Sequence, residues 1–258
     1  MKKVVAIIQA RTGSTRLPGK ILKPILGTPM LALMIERVKR AKKVDAVVVA
    51  TTDKPEDGAT AELAEKCDAG VFRGDENDVL DRFYKAAKEA QADIVIRLTG
   101  DCPLMDPAVI DEVVTRFQEA HGALDYCGTP NNYPEGLDTE IFNFSALEES
   151  ASEAKLSSER EHVTLYIRNH PEHFKKEPWC EGEGDNSKMH WSVDTQADFD
   201  FVTKVFEQLY PTNPSFNKDD VLTLLAQHPE FLEINKGGTG YEGLAKSLKE
   251  DEEFKKHL

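Results

Sequence analysis

Residues 4–25, VVAIIQARTGSTRLPGKILKPI, decide how the rest of the chain is read. Val4 to Gln9 is a short, nearly continuous apolar run, the pattern of a strand buried on both faces. A short turn follows that carries Arg11, Arg16, Lys20 and Lys23 together with Gly13 and Gly19. In an open parallel sheet, ligands bind beyond the carboxyl ends of the strands, usually where the first strand meets the first helix. Glycines let backbone amides approach a ligand there, and Arg11 and Lys20 can add positive charge. Arginine's planar fork suits two phosphate oxygens at once, whereas lysine acts as a movable point charge. Two familiar phosphate loops are excluded. A Walker A loop has one residue fewer between its glycines and a Ser or Thr where Ile21 stands, and the dinucleotide fingerprint G-x-G-x-x-G is absent. A solvated loop whose cations balance nearby carboxylates is the alternative that spacing alone leaves open.

Working outward, strand-like and helix-like pieces alternate. PMLALMIERVKRAK reads as a helix opening on proline and ending in basic residues, and DAVVVATT as a second buried strand. PEDGATAELAEKC is a helix, AGVFRG a short strand, ENDVLDRFYKAAKEAQ an amphipathic helix, DIVIRLTGDCP a third core strand and DPAVIDEVVTRFQEAH a helix. The fold class expected from this is α/β: a Rossmann-like, mostly parallel sheet with helices on both faces. After residue 122 the rhythm breaks into strand, loop and strand, with helical stretches near 145–155 and 158–169. HWSVDT reads as a strand ending in aspartate, and QADFDFVTKVFEQLY and KDDVLTLLAQHP as helices. One domain over 1–258 is expected, with an inserted arm near 128–185 and a loosely attached tail from about 235.

The 258 residues suffice for one large core. A net charge of −14 argues against broad binding of nucleic acid or of an anionic membrane. It does not exclude a small phosphorylated ligand, because charges beyond a Debye length of roughly 8 Å are largely screened. The four cysteines lack C-x-x-C spacing, and no long apolar run or cleavable leader is evident, so a cytoplasmic, reduced protein is the simplest reading.

IRLTGDCPLMDP puts Asp101 just past an apolar strand, at the same edge as the basic turn, and HWSVDTQADF does so for Asp194. Two carboxylates facing a triphosphate make a reasonable Mg2+ site, since this ion takes one or two carboxylates and completes its shell with phosphate and water. Each aspartate taken alone reads better as the cap of a following turn or helix. Asp198, one turn further on, reads as structural. No Ser-His-Asp or Cys-His set is defensible, which suits in-line phosphoryl chemistry.

IIQARTGSTRLPGK resembles the opening signature of the sugar cytidylyltransferases, the group that activates acylneuraminate and 3-deoxy-manno-octulosonate. It is similar above all to the spore coat polysaccharide biosynthesis branch of F type. Arg11, Gly13, Ser14, Arg16, Pro18, Gly19 and Lys20 fall on the pattern. LTGDCPL and SVDTQADF are similar to the family's two acidic motifs. The resemblance implies a fold of the nucleotide-diphosphosugar transferase type and a turn wrapped around the triphosphate of CTP. Ala10, Gly13 and Ser14 would contribute there, with Arg11 and Lys20 on the phosphates and Asp101 and Asp194 as Mg2+ ligands. Catalysis is thereby assigned to Arg11, Lys20 and Asp101. Arg73 and Asp78, in a G-x-x-x-D-V-L-x-R stretch, would line the nucleotide pocket. Arg97 is either a ligand contact or an internal salt bridge. Glu135, Asp138 and Glu140 would wall the acceptor pocket, and Arg160 or His162 of SEREHVT would bind the acceptor. The implied reaction converts CTP and a sugar or sugar acid into a CMP-linked product and pyrophosphate, in a homodimer. Another NTP, a non-sugar acceptor, or a catalytically silent nucleotide binder are the rival readings.

Overall fold

Burial along the first strand explains the layering. In β1 (Val4–Gln9), Val4, Ala6 and Ile8 enter one apolar cluster while Val5 and Ile7 enter another. Alternate side chains of a strand leave opposite faces, so an apolar run without polar interruption demands cover on both. The structure, a computed structural model, describes residues 2–130, 132–176, 185–237, 247–248 and 251–252.

After β1 come a 3-10 turn at Lys20–Leu22 and a small hairpin of β2 (Pro24–Ile25) and β3 (Thr28–Pro29). Neither was legible beforehand. Then follow α1 (Met30–Val38), β4 (Ala46–Thr52), α2 (Gly58–Lys66), β5 (Gly70–Gly74), α3 (Val79–Glu89), β6 (Ile94–Thr99) and α4 (Pro107–Glu119). The second half holds β7 (Tyr126–Gly128), β8 (Glu140–Asn143), α5 (Phe144–Glu153), α6 (Ser157–Glu161), α7 (Leu165–Asn169), α8 (Gln196–Leu209) and α9 (Lys218–Gln227).

The main sheet has the order β5-β4-β1-β6-β8-β7. β5, β4, β1 and β6 run parallel, while β8 pairs antiparallel with β6 and β7 antiparallel with β8. Residues of α1, α4, α8 and α9 cover one face, and residues of α3, α5 and α7 the other. The chain leaves β1 first toward β4 and later returns to β6 on the other side. The carboxyl ends of β1 and β6 therefore flank the switch point, where the connecting segments part and leave a crevice.

Two expectations need correction. HWSVDT is not a strand. Trp191 N donates to Glu135 O at 2.7 Å and Val193 N to Asp101 O at 2.8 Å, so its successive amides serve different segments and share no register with one neighbour. The helix expected over 158–169 is broken into α6 and α7 around His162, which has left helical geometry (φ −104°, ψ 76°). Within the span read as an arm, β8 extends the main sheet and α5 and α7 pack on it. Residues 177–184 of that expectation lie outside the described residues. In the stretch read as a tail, Ser247 and Asp251 are buried.

Candidate active site

Glycine sets how closely the two strand ends meet. A Cβ on Gly100, just beyond β6, would lie 2.8 Å from Ala10 Cβ and 2.9 Å from Gln9 O, beyond β1. Gly100 N instead donates to Gln9 O at 2.8 Å, drawing the exits together and placing Asp101 opposite the basic turn. Of the turn's own glycines, Gly19 has the left-handed backbone (φ 66°) that ends the loop before Lys20, whereas Gly13 does not.

The turn is held from below by a residue that sequence reading missed. Asp57, buried, accepts from Thr12 N at 2.7 Å and Thr12 Oγ1 at 2.8 Å, and also from the Thr52 hydroxyl. Its surroundings read only as a helix, and Thr12, 45 residues away, leaves no local signal. Asp57→Ala is expected to cost about 3 kcal/mol of stability, as hydrogen bonds to a buried charge are lost. It is also expected to raise the KM for nucleotide, and urea unfolding with steady-state kinetics checks both.

The centre of the site is Lys20. Its ammonium donates to Asp101 Oδ2 at 2.8 Å, Asp194 Oδ1 at 3.0 Å and Val193 O at 2.7 Å, so all three protons are used. Burial alone would lower the Lys20 pKa, but Asp101 and Asp194 outweigh it and raise it. Burial likewise pushes the Asp101 carboxyl up, and the Lys20 ammonium more than reverses this, holding it below the usual carboxylate value. Arg16 Nη2 adds a second cation to Asp194 at 2.9 Å.

Capping explains neither aspartate. The N-cap of α4 is Asp106, whose Oδ1 accepts from Ala108 N at 2.8 Å. At α8, Thr195 and Asp198 form a reciprocal capping box, which leaves the Asp194 side chain to Lys20 and Arg16. Asp198 is structural, as expected.

A cavity of about 540 Å³ opens above this pair. Among its lining residues are five cations (Arg11, Arg16, Lys20, Arg82, Arg97) and three acids (Asp101, Glu161, Asp194), so the crevice carries a local excess of positive charge in a protein of net charge −14. Ala10, Gly13, Ser14 and His162 also line it. Arg11 leans on Glu76 at 2.8 Å, with Lys54 on the far oxygen of the same carboxylate. Arg82 was read only as part of a motif. It is buried, donates through Nη1 to Asp75 O at 2.6 Å, and its buried Nε has no hydrogen-bond partner among the described residues. Burial and the nearby Arg11 lower its pKa. An unsatisfied buried guanidinium donor beside a cationic cavity is suited to an anionic ligand.

Other expected residues are not on the cavity wall. Arg73 is exposed and donates to Thr52 O at 2.9 Å and Lys54 O at 2.6 Å, bracing the end of β4. Asp78 is the N-cap of α3 and pairs with Arg160, which ties α3 to α6. Glu140 is buried beneath Arg97 and accepts from Tyr126 and Thr164, each at 2.7 Å. Arg97 makes an internal salt bridge, one of its two readings, and it also lines the cavity. Asp138 accepts from Gly136 N at 3.0 Å, and burial raises its pKa. Lys23 turns away to Gln196 at 2.8 Å.

Glu135 works through His190, another residue missed. His190 Nδ1 lies 2.8 Å from Glu135 Oε2, and Nε2 lies 3.6 Å from Asp198 Oδ1. Asp198 Oδ2 in turn accepts from Asp194 N at 3.1 Å and Thr195 N at 2.7 Å. Gly136, at φ 105°, lets the 134–137 turn lie on this segment, since a Cβ there would be 2.7 Å from Ser192 N. Burial opposes the charge on His190, but Asp198 and Glu135 outweigh it and push its pKa up to about 10. A raised pKa gives stability that is complete below the unfolded value of 6.5 and lost as pH rises toward about 10. The melting temperature of the native chain is therefore expected to fall across that window more steeply than that of His190→Gln. Equal slopes in differential scanning fluorimetry would contradict the triad.

Fold and site together define a nucleotidyltransferase-type α/β protein with a cationic turn set against two acids at the switch point. The comparisons make this specific: residues 5–242 match the family model described as cytidylyltransferase, and the chain belongs to that family of CTP-dependent nucleotidyltransferases. It is 39% identical over 240 residues to an uncharacterized protein of Methanocaldococcus jannaschii, covering 90% of this chain and 94% of that one. It is 33% identical over 236 residues to the spore coat polysaccharide biosynthesis protein SpsF of Bacillus subtilis, covering 89% and 97%. The solved structure of a cytidylyltransferase from Leptospira borgpetersenii superposes with a TM-score of 0.84 at 36% identity, covering 94% of this chain and 100% of that one.

Proposed function

We propose that this protein transfers CMP from CTP to a hydroxyl of a sugar or sugar acid, releasing pyrophosphate, with Mg2+ as the metal and surface polysaccharide or glycan synthesis as the setting. The observation that carries the reading is Lys20, a buried ammonium gripped by Asp101 and Asp194 beneath the cationic turn. In the free protein it occupies the electrostatic position of a cation. No group of three or more His, Cys, Asp or Glu among the described residues could hold a metal. A site with two carboxylates fits Mg2+ arriving with a triphosphate, because phosphate and water complete its shell. When bound, the ion neutralises charge on the reacting phosphate and the leaving pyrophosphate.

The protein's own groups do the rest. Arg11, Arg16 and Arg82 hold the phosphates by charge, and turn amides supply further donors. Once the nucleotide is seated, Lys20 turns from the carboxylates toward the phosphate oxygens, where negative charge grows during in-line attack. Sugar acceptors agree with the role named for the Bacillus subtilis relative, polysaccharide biosynthesis. The homodimer is part of this proposal and is checked by light scattering, and the cytoplasm is the matching compartment. Among the described residues, no helix is long and apolar enough to cross a membrane.

A pyrophosphate-release screen of four NTPs against sugars, sugar acids and phosphorylated non-sugars tests the reading. Release is expected with CTP, a divalent ion and a sugar-class acceptor. Release with another NTP or only with non-sugars overturns the specificity. Calorimetry without metal-dependent nucleotide binding would point to the silent binder.

A further inference from the structure

The family match ends at residue 242, yet two residues beyond it are hydrogen-bonded to α6 and its end, which border the cavity. Ser247 and Asp251 are buried, at 1% and 3% exposure. Asp251 accepts from Ser158 N at 3.1 Å and from the Ser158 hydroxyl, which fixes Asp251 to the start of α6. Ser247 sits at the other end of α6, where Glu161 and His162 line the cavity. Its hydroxyl donates to Glu161 Oε2 and lies 3.2 Å from His162 Nε2.

Proton counting decides the histidine's state. A serine hydroxyl has one proton, and here it goes to the Glu161 carboxylate. Towards His162, Ser247 Oγ can then only accept, so Nε2 carries the proton and Nδ1 carries the lone pair. Nδ1 makes no hydrogen bond to the described residues. Burial, together with Arg97 and Arg168 and against Glu161 and Glu140, lowers the His162 pKa, which keeps the ring neutral near pH 7.

We propose that Ser247, from behind the cavity wall, pins His162 as the Nε2–H tautomer so that Nδ1 accepts a hydrogen bond from an acceptor hydroxyl. This rests on the sugar-class acceptor proposed above. Ser247 is a positioning residue: it acts through His162 and leaves the nucleotide end of the crevice alone. Because it lies outside the family match, it gives this chain an acceptor preference that the shared nucleotide machinery does not dictate.

The test uses the full-length protein labelled with 15N-histidine, with the His162 signal assigned by its loss in His162→Gln. Long-range proton–nitrogen spectra are expected to show one Nε2–H tautomer in the native chain, a mixture in Ser247→Ala, and recovery in Ser247→Thr. CTP affinity by calorimetry is expected to be the same in all three. With the sugar that the screen identifies, Ser247→Ala is expected to raise acceptor KM about tenfold, the loss of one well-made hydrogen bond, with CTP KM unchanged. An Nδ1–H tautomer in the native chain, or a tautomer indifferent to Ser247→Ala, overturns the proposal. Equal rises in both KM values overturn it as well. A screen in which no sugar accepts CMP, with the tautomer still following Ser247, overturns the acceptor reading and leaves the positioning of His162 standing.

Discussion

Asp101→Asn is expected to lower kcat about a thousandfold while moving the melting temperature by only a few degrees. The carboxylate lies 2.8 Å from the Lys20 ammonium, just past the switch-point strand, and serves no cap. Asparagine keeps the shape and one acceptor oxygen. Lys20 retains Val193 O and Asp194, so the folded state loses only part of one charge-assisted contact. A stability cost of about 1 kcal/mol shifts the melting temperature of a chain this long by roughly 2–4 °C. The charge that would hold a divalent ion against the phosphates is lost entirely. Metal-assisted stabilisation of a phosphoryl transition state is worth several kcal/mol, and about 4 kcal/mol corresponds to a thousandfold in rate. Single-turnover rates at saturating CTP, with a Mg2+ titration of the variant, measure this. A kcat within tenfold of the native chain would remove Asp101 from the chemistry.

What the sequence shows of this site depends on how local each signal is. β1, β4 and β6 are legible because runs such as VVAIIQ and AVVVATT have few alternatives, and their order of appearance fixes the edge where Asp101 must lie. Asp101 and Lys20 stand out because their surroundings are themselves patterned. Asp57 and His190 do not, since each acts through partners distant in sequence, and the motif that contains Arg82 does not mark its burial beside the cavity. Arg73 and Asp78 show the converse. They sit in a stretch that reads as a pocket wall, but Arg73 is needed to brace the end of β4 and Asp78 to cap α3. HWSVDT has strand composition and no strand to pair with; its amides are shared out between the 134–137 turn and Asp101. Composition reports what a segment can bury, and only the tertiary arrangement decides what its amides meet.

Lys20→Met is expected to lower kcat about a thousandfold and, less obviously, to make the nucleotide-free protein bind Mg2+. The rate loss follows from removing a cation preorganised at the site of developing charge, where single donors are commonly worth hundreds- to a thousandfold. The metal effect follows from what remains. With the ammonium gone, Asp101 and Asp194 converge without their shared counter-ion, and breaking such a buried pair costs about 3–5 kcal/mol. A divalent ion can take the vacated position, so Mg2+ alone should restore much of the lost melting temperature in the variant while barely moving the native chain. The acid limb should also change sign. In the native chain the Asp101 pKa is depressed, so its contribution is present above the unfolded value of 3.8 and lost as pH falls. Without Lys20, burial is left to raise that pKa, and the variant should gain stability as pH falls toward 3.8 and lose it as pH rises through the elevated value. Melting curves over pH, with and without Mg2+, read both effects at once. A variant whose stability ignores Mg2+ and whose acid limb runs parallel to the native one would mean that the two carboxylates never share a cation.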